Sequence, residues 1–176
     1  MKAIVFLNVR WAACALLAAA ALIAVASPVY AAPSCKTWAA SKVEDEGGPA
    51  MTATVCTDGT YASPTLTLQC GYLRYDLGEK VNATLQEGIS AEFEFTSGTD
   101  AVSRKFQLEA MDYNFAAELE KDDPLLTLLR HGQSVSVADK AGKYPVNTFS
   151  LKGSGAAIDK VMASCGASSG DDSGGD

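Results

Sequence analysis

Short runs along the middle of the chain alternate apolar with polar residues, and a period of two predicts strands with one buried face. The cleanest is Ala91-Glu92-Phe93-Glu94-Phe95, and Ser97-Gly98-Thr99-Asp100 after it predicts a hairpin loop into Val102-Ser103-Arg104-Lys105-Phe106-Gln107-Leu108. Leu66, Leu68 and Cys70 alternate against Thr and Gln over 65–70. A weaker alternation over 51–57 precedes the turn signal Asp58-Gly59. Further strands are predicted over 72–77, 80–86, 90–96, 102–109, 115–120, 134–138 and 144–151, with Gly, Asp or Asn in nearly every gap. Many short strands at this spacing predict a mainly β fold, an antiparallel β-sandwich or partly open barrel.

Two segments break the strand rhythm and predict one short helix and a C-terminal helix. In the first, Asp122 or Asp123 serves as cap and Pro124 suits the first turn. Leu125, Leu126, Leu128 and Leu129 form its buried face, and Arg130, His131 and Gly132 end it. In the second, Ser154 is the expected N-cap. Ile158, Val161, Met162 and Cys165 recur at i, i+3, i+4 and i+7, so Cys165 falls on the packing face.

The ends of the chain set the compartment. Lys2 and Arg10 precede an apolar run from Trp11 to Ala26, and Val29-Tyr30-Ala31-Ala32 offers a small-residue exit. That is the order of a signal peptide, with cleavage expected after Ala31 or Ala32. The run is about sixteen residues, short of the roughly twenty that a spanning helix needs, so an uncleaved anchor is the weaker reading. Cys14 follows only three apolar residues of that run, too early for a lipoprotein cysteine, and reads as a small hydrophobe. The expected layout is therefore a leader over 1–32, one β-rich domain over 33–165, and a disordered tail over 166–176, where Gly, Ser, Ala and Asp leave nothing to bury.

The leader carries two of the fourteen basic residues and none of the twenty-one acidic ones, so the formal charge moves from −7 to −9 on its removal. Such a surface repels phosphate, and Lys and Arg are scattered singly apart from Arg104-Lys105. Nucleic acid is excluded as a partner on that ground, and no stable membrane anchor is expected after cleavage.

Five cysteines become four: Cys35, Cys56, Cys70 and Cys165. An even count in an exported chain predicts disulfides. Three pairings are open; the hairpin pattern favours Cys56 with Cys70, and terminal placement favours Cys35 with Cys165. Zinc is the rival reading, but there is no Cys-x-x-Cys spacing and no neighbouring histidine.

Candidate chemistry is thin. His131, the one histidine, sits where a cation meets the carbonyl end of a helix. Gly153-Ser154-Gly155 lacks the glycine spacing of a nucleophile elbow, since Lys152 and Ala156 occupy the flanking positions. The carboxylate clusters Glu44-Asp45-Glu46, Asp122-Asp123 and Asp171-Asp172 read as solvated loops, cap and tail. Asp171-Asp172-Ser173 lacks the spaced oxygens of a calcium loop. No catalytic residue, metal or cofactor is predicted. Of the aromatic residues, Tyr61 in the loop 61–64 is the candidate partner contact.

Two stretches carry a resemblance. Leu66-Thr67-Leu68-Gln69-Cys70, and Phe149-Ser150-Leu151-Lys152-Gly153-Ser154 followed by Ala157-Ile158 and Cys165, resemble the strand-plus-cysteine element and the final strand and helix of small periplasmic accessory proteins of type VI secretion systems, the VasI-like kind. The likeness covers about a third of the chain after the leader. It implies a disulfide-closed β domain in the periplasm and brings no catalytic residues. The expectation is an exported, non-catalytic binding protein, an envelope or secretion accessory with a protein partner. Two alternatives stand beside it. A secreted inhibitor of an envelope-degrading enzyme would use a rigid loop around Tyr61. A carboxylate-dependent hydrolase would need a concave pocket lined by at least two carboxylates.

Overall fold

The alternating runs become nine antiparallel strands in a computed structural model that describes residues 34–45, 48–109 and 111–165. The expected leader and tail, with Cys14, lie outside the described residues. In chain order the elements are β1 (Ala39–Asp45), β2 (Gly48–Cys56), β3 (Thr65–Gln69), β4 (Tyr72–Asp76), α1 (Glu79–Asn82), β5 (Ser90–Ser97), β6 (Asp100–Glu109), β7 (Asn114–Glu118), α2 (Pro124–Arg130), β8 (Ser134–Asp139), β9 (Asn147–Ser150) and α3 (Ser154–Ser164). They form one sheet in the order β1-β2-β3-β4-β7-β6-β5-β8-β9. Strands β1 to β4 follow one another as a meander. The β4–β5 connection then passes β7 and β6, and the β7–β8 connection, carrying α2, passes back over β6 and β5. The sheet curls so that its two ends approach: the Trp38 N–H, just before β1, donates to the Lys152 C=O, just after β9, at 3.0 Å. The fold is mainly β, as the alternation predicts.

Aromatic rings from alternate positions of four strands meet inside. Phe93 lies edge-on to Tyr75, Phe106 and Phe115, with centroids 5.0, 5.5 and 5.3 Å apart, the geometry that ring quadrupoles favour. Phe95 stacks on Phe106 at 5.9 Å. The Tyr75 hydroxyl stays hydrogen-bonded in this apolar setting by accepting from Asn147 Nδ2 at 2.7 Å. Burial nonetheless pushes its pKa up to about 12.

The two expected helices form. Asp123 caps α2, accepting from the Leu125 N–H at 2.8 Å, and all four expected leucines are buried. The start of α3 differs from expectation. Gly153, at φ +82°, is the N-cap, and Ser154 is the first helical residue, buried with its hydroxyl donating back to the Leu151 C=O at 2.7 Å. A side chain at position 153 would meet the Trp38 carbonyl oxygen at 2.9 Å, so the close approach of the two ends of the sheet selects glycine there. Two further differences are local. The expected strand over 80–86 is instead the one-turn α1, because Asp76 Oδ1 accepts from the Gly78 N–H (2.6 Å) and from Asn82 Nδ2 (2.7 Å) and folds the chain into a turn. Strand β1 has no counterpart among the expected strands.

The disulfide pairing also departs from expectation. The bonds are Cys35–Cys56 and Cys70–Cys165, with Cα separations of 5.2 and 5.4 Å. The register explains why. Cys56 pairs across to Thr65, and Cys70 follows the far end of β3. Five residues of extended strand, about 17 Å at roughly 3.4 Å per residue, separate Cys70 from the position opposite Cys56. That is far beyond the distance a disulfide spans. Cys70 instead lies under the end of α3, where the helical period delivers Cys165. Two bonded pairs fit folding in an oxidising compartment. Among the described residues no helix is long and apolar enough to cross a membrane.

Candidate functional site

Two regions gather polar and apolar groups at the surface. The first lies at one end of the central strands. The registers pair Thr65 with Asp76 and Tyr75 with Phe115, so the start of β3, the end of β4 and the start of β7 lie side by side. Loop 57–64 and turn 111–113 therefore emerge at the same end. They expose three large side chains there: Tyr61 at 59%, Met111 at 90% and Tyr113 at 50% of their full surface.

Loop 57–64 is held in place by a dense set of bonds. The Thr57 N–H donates to the Pro64 C=O (3.0 Å), and the Ser63 hydroxyl donates to the Thr60 C=O (2.7 Å). The Glu79 N–H reaches the Ala62 C=O at 3.4 Å. Asp58 Oδ1 accepts from both the amide and the hydroxyl of Thr60 at 2.8 Å. Hydrogen bonding with Ser63, and then with Thr60, holds the Asp58 carboxyl below its ordinary pKa. The base of the loop is fixed by the buried Cys35–Cys56 bond and by the Cys56 N–H donating to the Cys35 C=O at 2.7 Å. Tyr61 thus projects from a braced loop, although not one enclosed by a 56–70 bridge. In the 111–113 turn, Tyr113 adopts φ +50°, a left-handed conformation uncommon for a bulky residue.

Beneath Tyr61 the outward positions of β3, β4 and β7 form a shallow depression of about 240 Å³, floored by Thr65, Thr67, Arg74, Asp76 and Asn114. Arg74 pairs with Glu109 at 3.3 Å, and Asn114 Oδ1 is buried with no hydrogen-bond partner among the described residues. Of these residues the sequence singles out only Tyr61, and the structure leaves it exposed. The exposure of Met111 and Tyr113 had one legible signal, two large apolar residues flanking an Asp between two strands. Arg74 and Asn114 gave none, because their pairing is set by which strands become neighbours.

The second region surrounds the start of α2. A cavity of about 720 Å³ lies between the β5–β6 turn and the helix; Asp100, Asp122, Thr127, His131 and Gln133 line it over an apolar floor of Val102 and Leu128. A second, of about 700 Å³, lies on the other side of Asp122 and Pro124 and is lined by Tyr72, Glu118 and Glu120 among others. Arg104 reaches it and donates to Asp123 Oδ2 through Nη2 (2.6 Å) and Nε (3.1 Å). Asp123, buried and both capping and ion-paired, is a structural carboxylate. Asp122, read from the sequence as solvated or capping, instead shares a cavity with Asp100 and His131. Among the described residues none of Asp100, Asp122 and His131 is hydrogen-bonded to another of the three, the contact that would orient and activate a catalytic base. No group of three or more His, Cys, Asp or Glu side chains there is arranged to hold a metal ion.

No family model, curated protein or solved structure matches this chain.

Proposed function

We propose that this chain is an exported periplasmic binding protein, an accessory to an envelope or secretion machine, which engages a protein partner through the end of the sheet that carries Tyr61, Met111 and Tyr113. The observation that carries the reading is the joint exposure of those three side chains from two adjacent loops. A soluble surface has little use for a methionine that is 90% exposed, whereas tyrosine and methionine are enriched in the centres of protein interfaces. Bracing of the loop from Asp58 to Ser63 supports it further, because a pre-ordered contact loses less entropy on binding. The same rigidity is what an inhibitor loop requires, so inhibition of an envelope-degrading enzyme is one form this binding can take.

The test is quantitative capture from periplasmic extract by the mature protein, beside Tyr61→Ala and Met111→Ser variants. The expected result is a partner retained by the parent and reduced at least tenfold by each substitution. Equal capture by all three removes this surface from the function. A second reading, a carboxylate-dependent hydrolase, is favoured by one observation: Asp100 and Asp122 line one cavity with His131. It requires hydrolysis of an envelope polymer that is abolished by Asp122→Asn and indifferent to Tyr61→Ala.

A further inference from the structure

We infer that Cys70–Cys165 is a site of thiol–disulfide exchange, taking an external thiolate at Cys165, while Cys35–Cys56 is closed to the same chemistry. The two bonds differ in access. Cys35 and Cys56 are buried, at 3% and 1% exposure, whereas Cys165 is exposed and Cys70 half-buried. Exchange requires a thiolate to approach one sulfur in line with the bond it breaks, so only the second bond offers an entry.

The helix decides which sulfur is attacked. Cys165 is the C-cap of α3, and its sulfur lies 3.1 Å from the Val161 carbonyl oxygen; the Cys70 sulfur lies 3.9 Å from the same atom. The negative end of a helix disfavours a thiolate, which makes Cys165 the poorer leaving group of the two. Access and leaving-group stability therefore point the same way. The incoming thiolate forms a bond to Cys165 Sγ, the Cys70–Cys165 bond breaks, and its electron pair leaves on Cys70 as a thiolate that takes a proton from water. The product is a mixed disulfide at Cys165 with a thiol at Cys70. A second thiolate can attack the mixed disulfide and leave both cysteines reduced, the external thiols being oxidised to their disulfide. In the first state the end of α3 is no longer tied to the β3–β4 turn.

Reduced glutathione is the probe, applied to the mature protein under native conditions across a range of glutathione ratios. Free thiols are alkylated at each step and located by peptide mass spectrometry, with near-ultraviolet circular dichroism reporting whether the fold persists. The expected outcome is a glutathione adduct on Cys165 paired with an alkylated Cys70. Cys35–Cys56 should stay intact until ratios at least tenfold more reducing, or until the fold is lost. Reduction of both bonds together, prior reduction of Cys35–Cys56, an adduct mainly on Cys70, or no exchange before unfolding each overturns the inference. A Cys70→Ser variant supplies an independent check. Its Cys165 should carry glutathione after oxidation with glutathione disulfide, and an unmodified Cys165 thiol in the folded variant counts against the site.

Discussion

Two covalent bonds of the same kind lie in opposite surroundings in this molecule. Cys35–Cys56 sits inside, beneath the loop that presents Tyr61, and is backed by a main-chain hydrogen bond between the same two residues. Cys70–Cys165 sits at the surface and joins the last turn of α3 to the β3–β4 hairpin, across 95 residues of sequence. The first shapes a loop; the second constrains most of the chain. Their difference separates two jobs that a disulfide performs, fixing local geometry and lowering the entropy of the unfolded state, and it indicates which properties respond when each is removed.

The largest effect is expected from Cys70→Ser with Cys165→Ser. In the chain-entropy model a loop of roughly a hundred residues contributes about 5 kcal/mol, so urea unfolding should show a loss of that order. Partner capture through Tyr61 should be unchanged, because loop 57–64 makes no use of this bond. Cys35→Ala with Cys56→Ala removes a bond that closes a much shorter loop and should cost about 3 kcal/mol by the same model, yet it should also weaken capture by loosening the base of the Tyr61 loop. Equal stability losses accompanied by unchanged capture in both variants would erase the contrast. Smaller again, Gly153→Ala should cost about 2 kcal/mol, since a side chain is strained at φ +82° and meets the Trp38 carbonyl; thermal unfolding measures it.

The smallest effect concerns pH. The Asp58 carboxyl lies below its ordinary value of 3.8, so the ordering it lends the loop is complete above 3.8 and is lost as pH falls through the lower folded value. The Thr60 amide resonance should follow that protonation with a midpoint below 3.8, while resonances of α3 stay unmoved.

Much of the fold is legible in the sequence because burial on one face imposes a period. Phe93 and Phe95, Leu66 and Leu68, and the four leucines of α2 could each be assigned to the interior from spacing alone, and each is buried. Strand β1 escaped because it forms the end of the sheet, with residues 41 to 44 all exposed, so Ser41, Lys42, Val43 and Glu44 carry no alternation to read. The segment 80–86 misled because Val81 and Leu85 suggest a strand, while the turn depends on Asp76 engaging Asn82 six residues away. Disulfide pairing failed for a related reason. The signal at Asp58-Gly59 suggested a tight turn with Cys56 facing Cys70, whereas the chain spends residues 57–64 in a loop before pairing begins at Thr65. The candidate site was legible only at Tyr61. Its other members lie far apart in sequence and come together through the pairing of β4 with β7, an arrangement that no local pattern encodes.

The bonding pattern has a mechanical corollary. Tension applied across Cys35 and Cys165 crosses each bridge directly to Cys56 and Cys70. Everything enclosed by the two covalent loops is shielded from stretching. Between Cys35 and Cys165 only the segment from Cys56 to Cys70 can pay out, about 50 Å at roughly 3.5 Å per residue, so the oxidised domain lengthens under load by that one segment.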